Sequence, residues 1–244
     1  MRLAIISDIH GNAFALDAIL DDIVQQRIEQ TICLGDAIQG GAQPAETLAR
    51  LRELNGPIVM GNADAFLLTG IASGAEVVTE KQRAIREWSL AQLSRADIAF
   101  IQSFQPTVEI ALSGDKRLLA FHGSPHSFDD VILPETPEET FQKMLRGFES
   151  HVLCGGHTHL QQIRRLANSF FFNPGCVGLA YNRHQPEENF HLDAWAEYAI
   201  LTREDETLAL EFRRVPFDVN RLFQFIRASG RPFAHEAAAQ YQTR

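Results

Sequence analysis

Five short apolar runs, Leu3 to Ser7, Thr31 to Leu34, Pro57 to Met60, Arg117 to Phe121 and His151 to Cys154, are each followed at once by Asp, Gly or His. Runs of this length, bounded by turn-forming residues, read as strands buried on both faces. Between the first three the apolar period becomes helical. Leu16, Ile19, Leu20 and Ile23 form one stripe, and Leu48, Leu51 and Leu54 begin another after Pro44, a residue suited to the first helical position. The opening therefore reads βαβαβ, which predicts a largely parallel sheet with right-handed crossovers and helices on its faces.

Residues 80–104 are helical by pattern and are expected either beside the sheet or over one end of it. Thr136, Pro137 and Glu139 spell a capping box, and Phe141, Met144, Leu145 and Phe148 supply the stripe of the helix it would start. After Gly156 the segments Gln161 to Leu166, Phe170 to Phe172, Trp195 to Thr202 and Thr207 to Val215 read as consecutive strands, predicting a second sheet completed by hairpins. A helix from Asp218 to Ser229, stopped by Gly230, closes the chain. No linker or repeat interrupts the 244 residues, so the expectation is one domain, 1–244, with 64–105 as a candidate helical cap.

Composition excludes several classes. Hydrophobic residues make up 45% and charged residues 22%, which is globular rather than disordered. The net charge of −9 argues against duplex nucleic acid as a partner. No apolar run approaches the ~18 residues of a membrane span. Three scattered cysteines, at 33, 154 and 176, suit the cytoplasm better than a disulfide framework.

The polar residues fall where strands end: Asp8 and His10 after the first, Asp36 after the second, Asn62 after the third, His122 after a later one, His157 and His159 after another. In open α/β sheets that rim is where ligands bind. In extended chain, residues i and i+2 point the same way, so Asp8 with His10, and His157 with His159, can each face one metal region. Glycines at 11, 35, 61, 123, 155 and 156 leave room for a crowded site. Two divalent ions with two ionised carboxylates would leave roughly +2 in such a site, a net charge that attracts phosphate. Oxygen and imidazole donors suit Mn, Fe, Zn or Ni, and Asp36 is the candidate bridging carboxylate.

These segments, Asp8-Ile9-His10-Gly11-Asn12, Gly35-Asp36, Gly61-Asn62-Ala63-Asp64, His122-Gly123 and Gly156-His157-Thr158-His159, resemble in order the motifs of the calcineurin-like metallophosphoesterase superfamily. The resemblance spans residues 1 to about 180 and is nearest to the small bacterial and archaeal branch of phosphodiesterases and diadenosine polyphosphate hydrolases, through Asn173-Pro174-Gly175-Cys176-Val177-Gly178. It implies an α/β (α+β) fold, a four-layer αββα sandwich of two mixed β-sheets flanked by helices. It also implies two divalent transition-metal ions, one held by Asp8, His10, Asp36 and His159 and the other by Asp36, Asn62, His122 and His157. A metal-bridging hydroxide would then attack a small phosphorylated substrate, a nucleotide among the candidates.

Many members of the superfamily carry His where this chain has Ala63, directly after Asn62. General acid catalysis is typically worth ~10²–10⁴-fold, so its loss favours phosphodiesters and phosphoanhydrides over alkyl monoesters. His126 is a candidate replacement acid, and Asn12, Asn62 and Arg183 are candidate substrate contacts, with specificity expected in loops 64–105 and 176–194. Ala63 also keeps open a different class, a catalytically weak binding or scaffold protein on the same fold, as in the superfamily's vacuolar sorting scaffold. An amidohydrolase barrel fits poorly, since the first motif is Asp8-Ile9-His10 rather than His-x-His. Oligomeric state is not legible.

Overall fold

The structure, a computed structural model, describes residues 1–72, 77–186, 188, 190–205 and 207–241. Residues 73–76 of the candidate cap and 187 and 189 of the second loop lie outside the described residues. The first sheet has the order β2 (Gln30–Cys33), β1 (Arg2–Ile6), β8 (Trp195–Glu204), β9 (Thr207–Pro216). The second has the order β3 (Val108–Ser113), β4 (Lys116–Ala120), β5 (Val152–Cys154), β7 (Phe170–Asn173), β6 (Gln162–Arg165). Both are mixed: β1 and β2 are parallel while β8 and β9 run antiparallel, and β4, β5 and β7 are parallel between antiparallel edges.

Alternation of side chains along each strand builds the layers. From β1, Leu3 and Ile5 enter the space between the sheets and meet Leu118, Ala120, Val152, Cys154 and Phe172. Ala4 and Ile6 face outward onto Leu16, Ile19 and Ile23 of α1 (Ala13–Gln25) and Leu48 and Leu51 of α2 (Pro44–Arg52). On the far side, Leu119, Phe121, Leu153 and Phe171 pack on Phe141 of α6 (Glu138–Met144). The result is the four-layer αββα sandwich. Each such large apolar side chain contributes roughly 1.5–3 kcal/mol by leaving water.

The sheet assignments differ from expectation. The run Pro57 to Met60 makes only isolated bridges, Ile58 to Cys33 and Val59 to Gln105, because it is cut short between Gly56 and Gly61. The β8–β9 hairpin completes the first sheet and not the second. Residues 196–201 of β8 are buried throughout, as a strand inside a sheet requires, whereas β9 alternates between exposed and half-buried residues, as an edge does.

The helix after Thr136 starts at Glu138 without the expected capping box. Thr136 Oγ1 instead accepts from Leu133 N (2.8 Å) and closes the preceding turn. Two elements were not anticipated, β3 and α8 (Ala234–Ala239), and α3 (Asn62–Thr69) starts two residues before the candidate cap 64–105.

In the segment 62–104, α3 is followed by α4 (Glu80–Ala91) and α5 (Arg95–Gln102), whose capping residues Thr79 and Ser94 accept from Gln82 N and Asp97 N. Leu67, Ile101 and Phe104 share the core of Ala4 and Ile6, so part of this segment lies against the outer face of the first sheet. α7 (Val219–Ala228) and α8 form a satellite core with Ala42, Leu192 and Tyr241. No helix among the described residues is long and apolar enough to cross a membrane.

Candidate metal centre

Where β1 and β2 end, backbone pairing continues into the loops. Asp8 N donates to Gly35 O (3.0 Å), His10 N to Asp36 O (2.8 Å) and Gly11 N to Ala37 O (2.9 Å). On the other side Val177 N donates to Ser7 O and Gly178 N to Asp8 O, while Gly156 N donates to His122 O. The loops are thereby tied to one another. Within them Asp8, His10, Asp36, His157 and His159 all have left-handed backbone, with φ between 48 and 69°. That region costs an L-residue of order 1–2 kcal/mol, and such strain concentrates at functional sites. Gly61 and Gly156 are among the glycines that leave no room for a side chain: a Cβ on Gly61 would meet Asp36 Oδ1 at 2.1 Å, and one on Gly156 would meet Ser7 Oγ at 2.1 Å.

The side chains converge as two groups, Asp8 with His10 and His159, and Asp36 with His122 and His157; in each, the donor atoms lie within 4.8 Å of one another. In the first, His10 Nε2 is 3.1 Å from His159 Nε2, and Asp8 Oδ1 is 3.4 Å from His159 Nε2 and 3.9 Å from His10 Nε2. In the second, His122 Nε2 is 3.4 Å from Asp36 Oδ2 and 3.0 Å from Asn62 Oδ1, with the His157 ring 5.2 Å from that of His122. Asp36 Oδ2 is also 3.7 Å from His10 Nε2, which places this carboxylate between the groups.

The arrangement fits metal. The Nδ1 atoms of His10, His122 and His159 meet the carbonyls of Gln39, Leu34 and Leu179 at 2.8, 2.8 and 3.2 Å. A carbonyl can only accept, so each Nδ1 carries a proton, and each ring, once neutral, presents the Nε2 lone pair to the site. Lone pairs would then face one another across 3.1 Å, and buried Asp8 Oδ1 has no hydrogen-bond partner. Two donors each ~2.1 Å from a shared cation are themselves separated by ~3.0–3.4 Å, the spacing seen here. A cation relieves both conflicts.

Charge is tuned to match. Burial opposes ionisation of Asp8 and Asp36, but the surrounding histidines hold both carboxyls below the usual range. Burial likewise opposes charging of His122, yet Asp36 and Asp8 push it up to about 9, so without a cation its Nε2 holds a proton that metal binding would displace. Burial lowers His10 and His157.

Asp64, to which the sequence reading gave no role, accepts from Ala37 N (3.0 Å), Ile38 N (3.3 Å) and Gly61 N (3.3 Å). It ties the loop of Asp36 to the loop of Asn62, and burial, with the charge of Asp36, pushes it up to about 7. Asn173 Nδ2 donates to Gly156 O and Thr158 Oγ1, holding the turn that carries His157 and His159. Cys176, also buried, donates to Asp8 O and accepts from Leu179 N. A polar residue inside an otherwise buried strand-end motif was the available signal for Asp64 and Asn173.

Other candidates stand apart. Asn12, expected at the substrate, caps α1 instead: its Oδ1 accepts from Ala15 N (3.1 Å) and its Nδ2 donates to Gly178 O (3.1 Å). His126, expected as an acid, is exposed; its Nε2 meets Arg146 O (2.8 Å) and its ring stands edge-on to Phe148, outside both groups. Arg183 pairs with Glu135 in the wall of a cavity of about 770 Å³ that also includes His159.

The Calcineurin-like phosphoesterase superfamily domain matches residues 1–194. The uncharacterized protein MJ0912 of Methanocaldococcus jannaschii is 26% identical over 92% of this chain and 91% of its own length. Phosphodiesterase YfcE of Escherichia coli strain K12 is 26% identical over 73% of this chain and 80% of its own. The crystal structure of a metallophosphoesterase from Sphaerobacter thermophilus superposes with a TM-score of 0.74 at 23% identity, covering 98% of both chains.

Proposed function

The chain belongs to the Calcineurin-like phosphoesterase superfamily and is on that ground a metal-dependent phosphoesterase; from this premise we propose that it hydrolyses phosphodiesters or phosphoanhydrides at a dinuclear centre. The observation that carries the reading is Asp36 between two donor groups. Its Oδ1 accepts from Ala63 N (2.8 Å) at the start of α3, where the helix dipole favours an anion, while Oδ2 faces His122 and His10. Asp8, His10 and His159 would hold one ion, Asn62, His122 and His157 the other, with Asp36 shared. When bound, two such ions supply Lewis-acid charge to the phosphoryl oxygens and make water nucleophilic at neutral pH.

The chain's own residues then bias the substrate. Ala63 offers no proton to a departing oxygen, so a group that leaves without one is favoured. Asn62 stands beside the reacting phosphate, and Arg183 lies farther out in the cavity wall. His126 is given no part, because its ring nitrogen is engaged by Arg146 O. YfcE, named a phosphodiesterase, agrees with the diester preference. The three buried thiols suit the cytoplasmic setting proposed here.

Protein stripped and reloaded with Mn²⁺, Zn²⁺, Ni²⁺ or Fe²⁺ should turn over an aryl diester or a dinucleoside polyphosphate at least roughly tenfold faster than an alkyl monoester, given the usual worth of a general acid. Asp36→Asn should lose about 10³-fold or more in kcat. An alkyl monoester as best substrate would sink the preference. Negligible turnover at saturating metal would instead favour the scaffold that Ala63 keeps open.

A further inference from the structure

Resting on the phosphoesterase reading, we propose that the cavity of about 770 Å³ beside His159 binds one uncharged, planar ester arm of a phosphodiester, a heteroaromatic ring such as a nucleobase carried on its sugar, and thereby selects the substrate. The cavity is continuous with the metal centre, because His159 belongs to both. Its Nε2 faces Asp8 and His10, while its ring stands edge-on to Tyr181 with centroids 6.0 Å apart. A phosphate at the donor groups therefore has an ester arm within reach of the cavity wall.

That wall offers flat faces held in place. Trp195 donates its indole N–H to Glu197 (3.4 Å), and Glu197 also accepts from Arg214 Nε (2.9 Å), whose guanidinium lies 5.3 Å from the centre of the Trp195 ring. Both partners fix the indole plane, and with Arg214 over one face of the ring the stacking of a π-system falls to the opposite face. Phe190 packs on Tyr181, with ring centres 5.4 Å apart.

Charge decides the kind of arm. Arg214 is matched by Glu197 and Arg183 by Glu135, and Asp193 adds another carboxylate to the same wall. A polyphosphate tail would find no surplus of cations there, and a lipid tail would meet charged and amide groups on most sides. A neutral ring with hydrogen-bonding edges satisfies both constraints. Trp195, Glu197 and Arg214 come from β8 and β9, beyond residue 194 where the family match ends, so this part of the wall is built by the segment that follows the matched domain.

The test compares two esters with one leaving group, the p-nitrophenyl ester of thymidine 5′-phosphate and p-nitrophenyl methyl phosphate, on metal-loaded protein. The nucleoside ester should be favoured in kcat/KM by roughly tenfold or more, the usual range for one stacked base. Trp195→Ala should bring that ratio close to one, while Trp195→Phe keeps most of it; Tyr181→Ala serves if Trp195→Ala does not fold. A wild-type ratio near one, with the methyl ester hydrolysed, overturns this inference and leaves the phosphoesterase reading standing.

If neither ester reacts, the diester reading falls, and the cavity is judged by binding alone. The chain has two tryptophans, Trp88 and Trp195, so a Trp88→Phe protein reports on Trp195. Saturable quenching of its fluorescence by thymidine supports the cavity as a ring-binding site, and absence of quenching overturns it.

Discussion

Along β1, Leu3 and Ile5 fill the space between the sheets in ordinary extended backbone, whereas Asp8 and His10, only a few residues on, turn left-handed and point buried polar atoms at other polar atoms. The same change from apolar to polar recurs from Leu118 and Ala120 to His122, and from Val152 and Cys154 to His157, with the left-handed turn at His157. Strand bodies are held by apolar area and are stable without any partner. Strand rims are held by backbone pairing between loops and carry unmet charge, so they are completed only by a ligand. Damage to a body should therefore reduce stability and spare the chemistry per folded molecule, while damage to a rim should do the reverse.

The largest test of that contrast is Phe172→Ala, between the sheets. Removing this fully buried ring should cost about 3–5 kcal/mol in denaturant unfolding, with kcat per folded molecule kept close to wild type. A comparable loss of kcat with full stability would break the comparison. Gly61→Ala probes the rim: its Cβ falls on Asp36 Oδ1, so metal affinity should drop roughly 10–100-fold, read by competition with a chelating dye, with a smaller change in unfolding.

The smallest expected effect sharpens the body side. Asp22 of α1 accepts from Tyr198 Oη (2.6 Å) and from Arg213 Nε (2.7 Å), binding the helix layer to β8 and β9. Burial opposes its ionisation, but Arg213 and Tyr198 hold its carboxyl below the usual value. A depressed folded pKa means stabilisation that is present above the unfolded value of about 3.9 and lost as pH falls through the lower folded one. Asp22→Asn should therefore cost about 1–2 kcal/mol at pH 7 and nothing below both pKa values, measured by urea unfolding across pH.

Much of the site was legible because its signal is local. Asp8, His10, Asp36, Asn62, His122 and His157 each sit directly after an apolar run or beside a glycine, with His159 two residues on from His157, and adjacency to a strand end needs no knowledge of the partner strand. Asn12 and His126 lay inside or next to the same motifs yet are occupied elsewhere, since a cap and a carbonyl contact depend on neighbours that adjacency does not reveal. Thr136 failed as a cap for a related reason: the turn before it and the helix after it compete for one hydroxyl, and the backbone N–H of Leu133 took it.

The order of residues by itself determined most of the strands, which polar groups crown them and how β1, α1 and β2 follow one another, because side-chain alternation, capping and crossover handedness act over short stretches. Only the tertiary structure decided that β8 and β9 flank β1, that 57–60 pairs too briefly to count as a strand, and that Trp195 and Arg214 stand near His159. A strand apolar on both faces satisfies either sheet equally well until its competitors for the same edge are in place, and that choice is made by packing the whole chain at once.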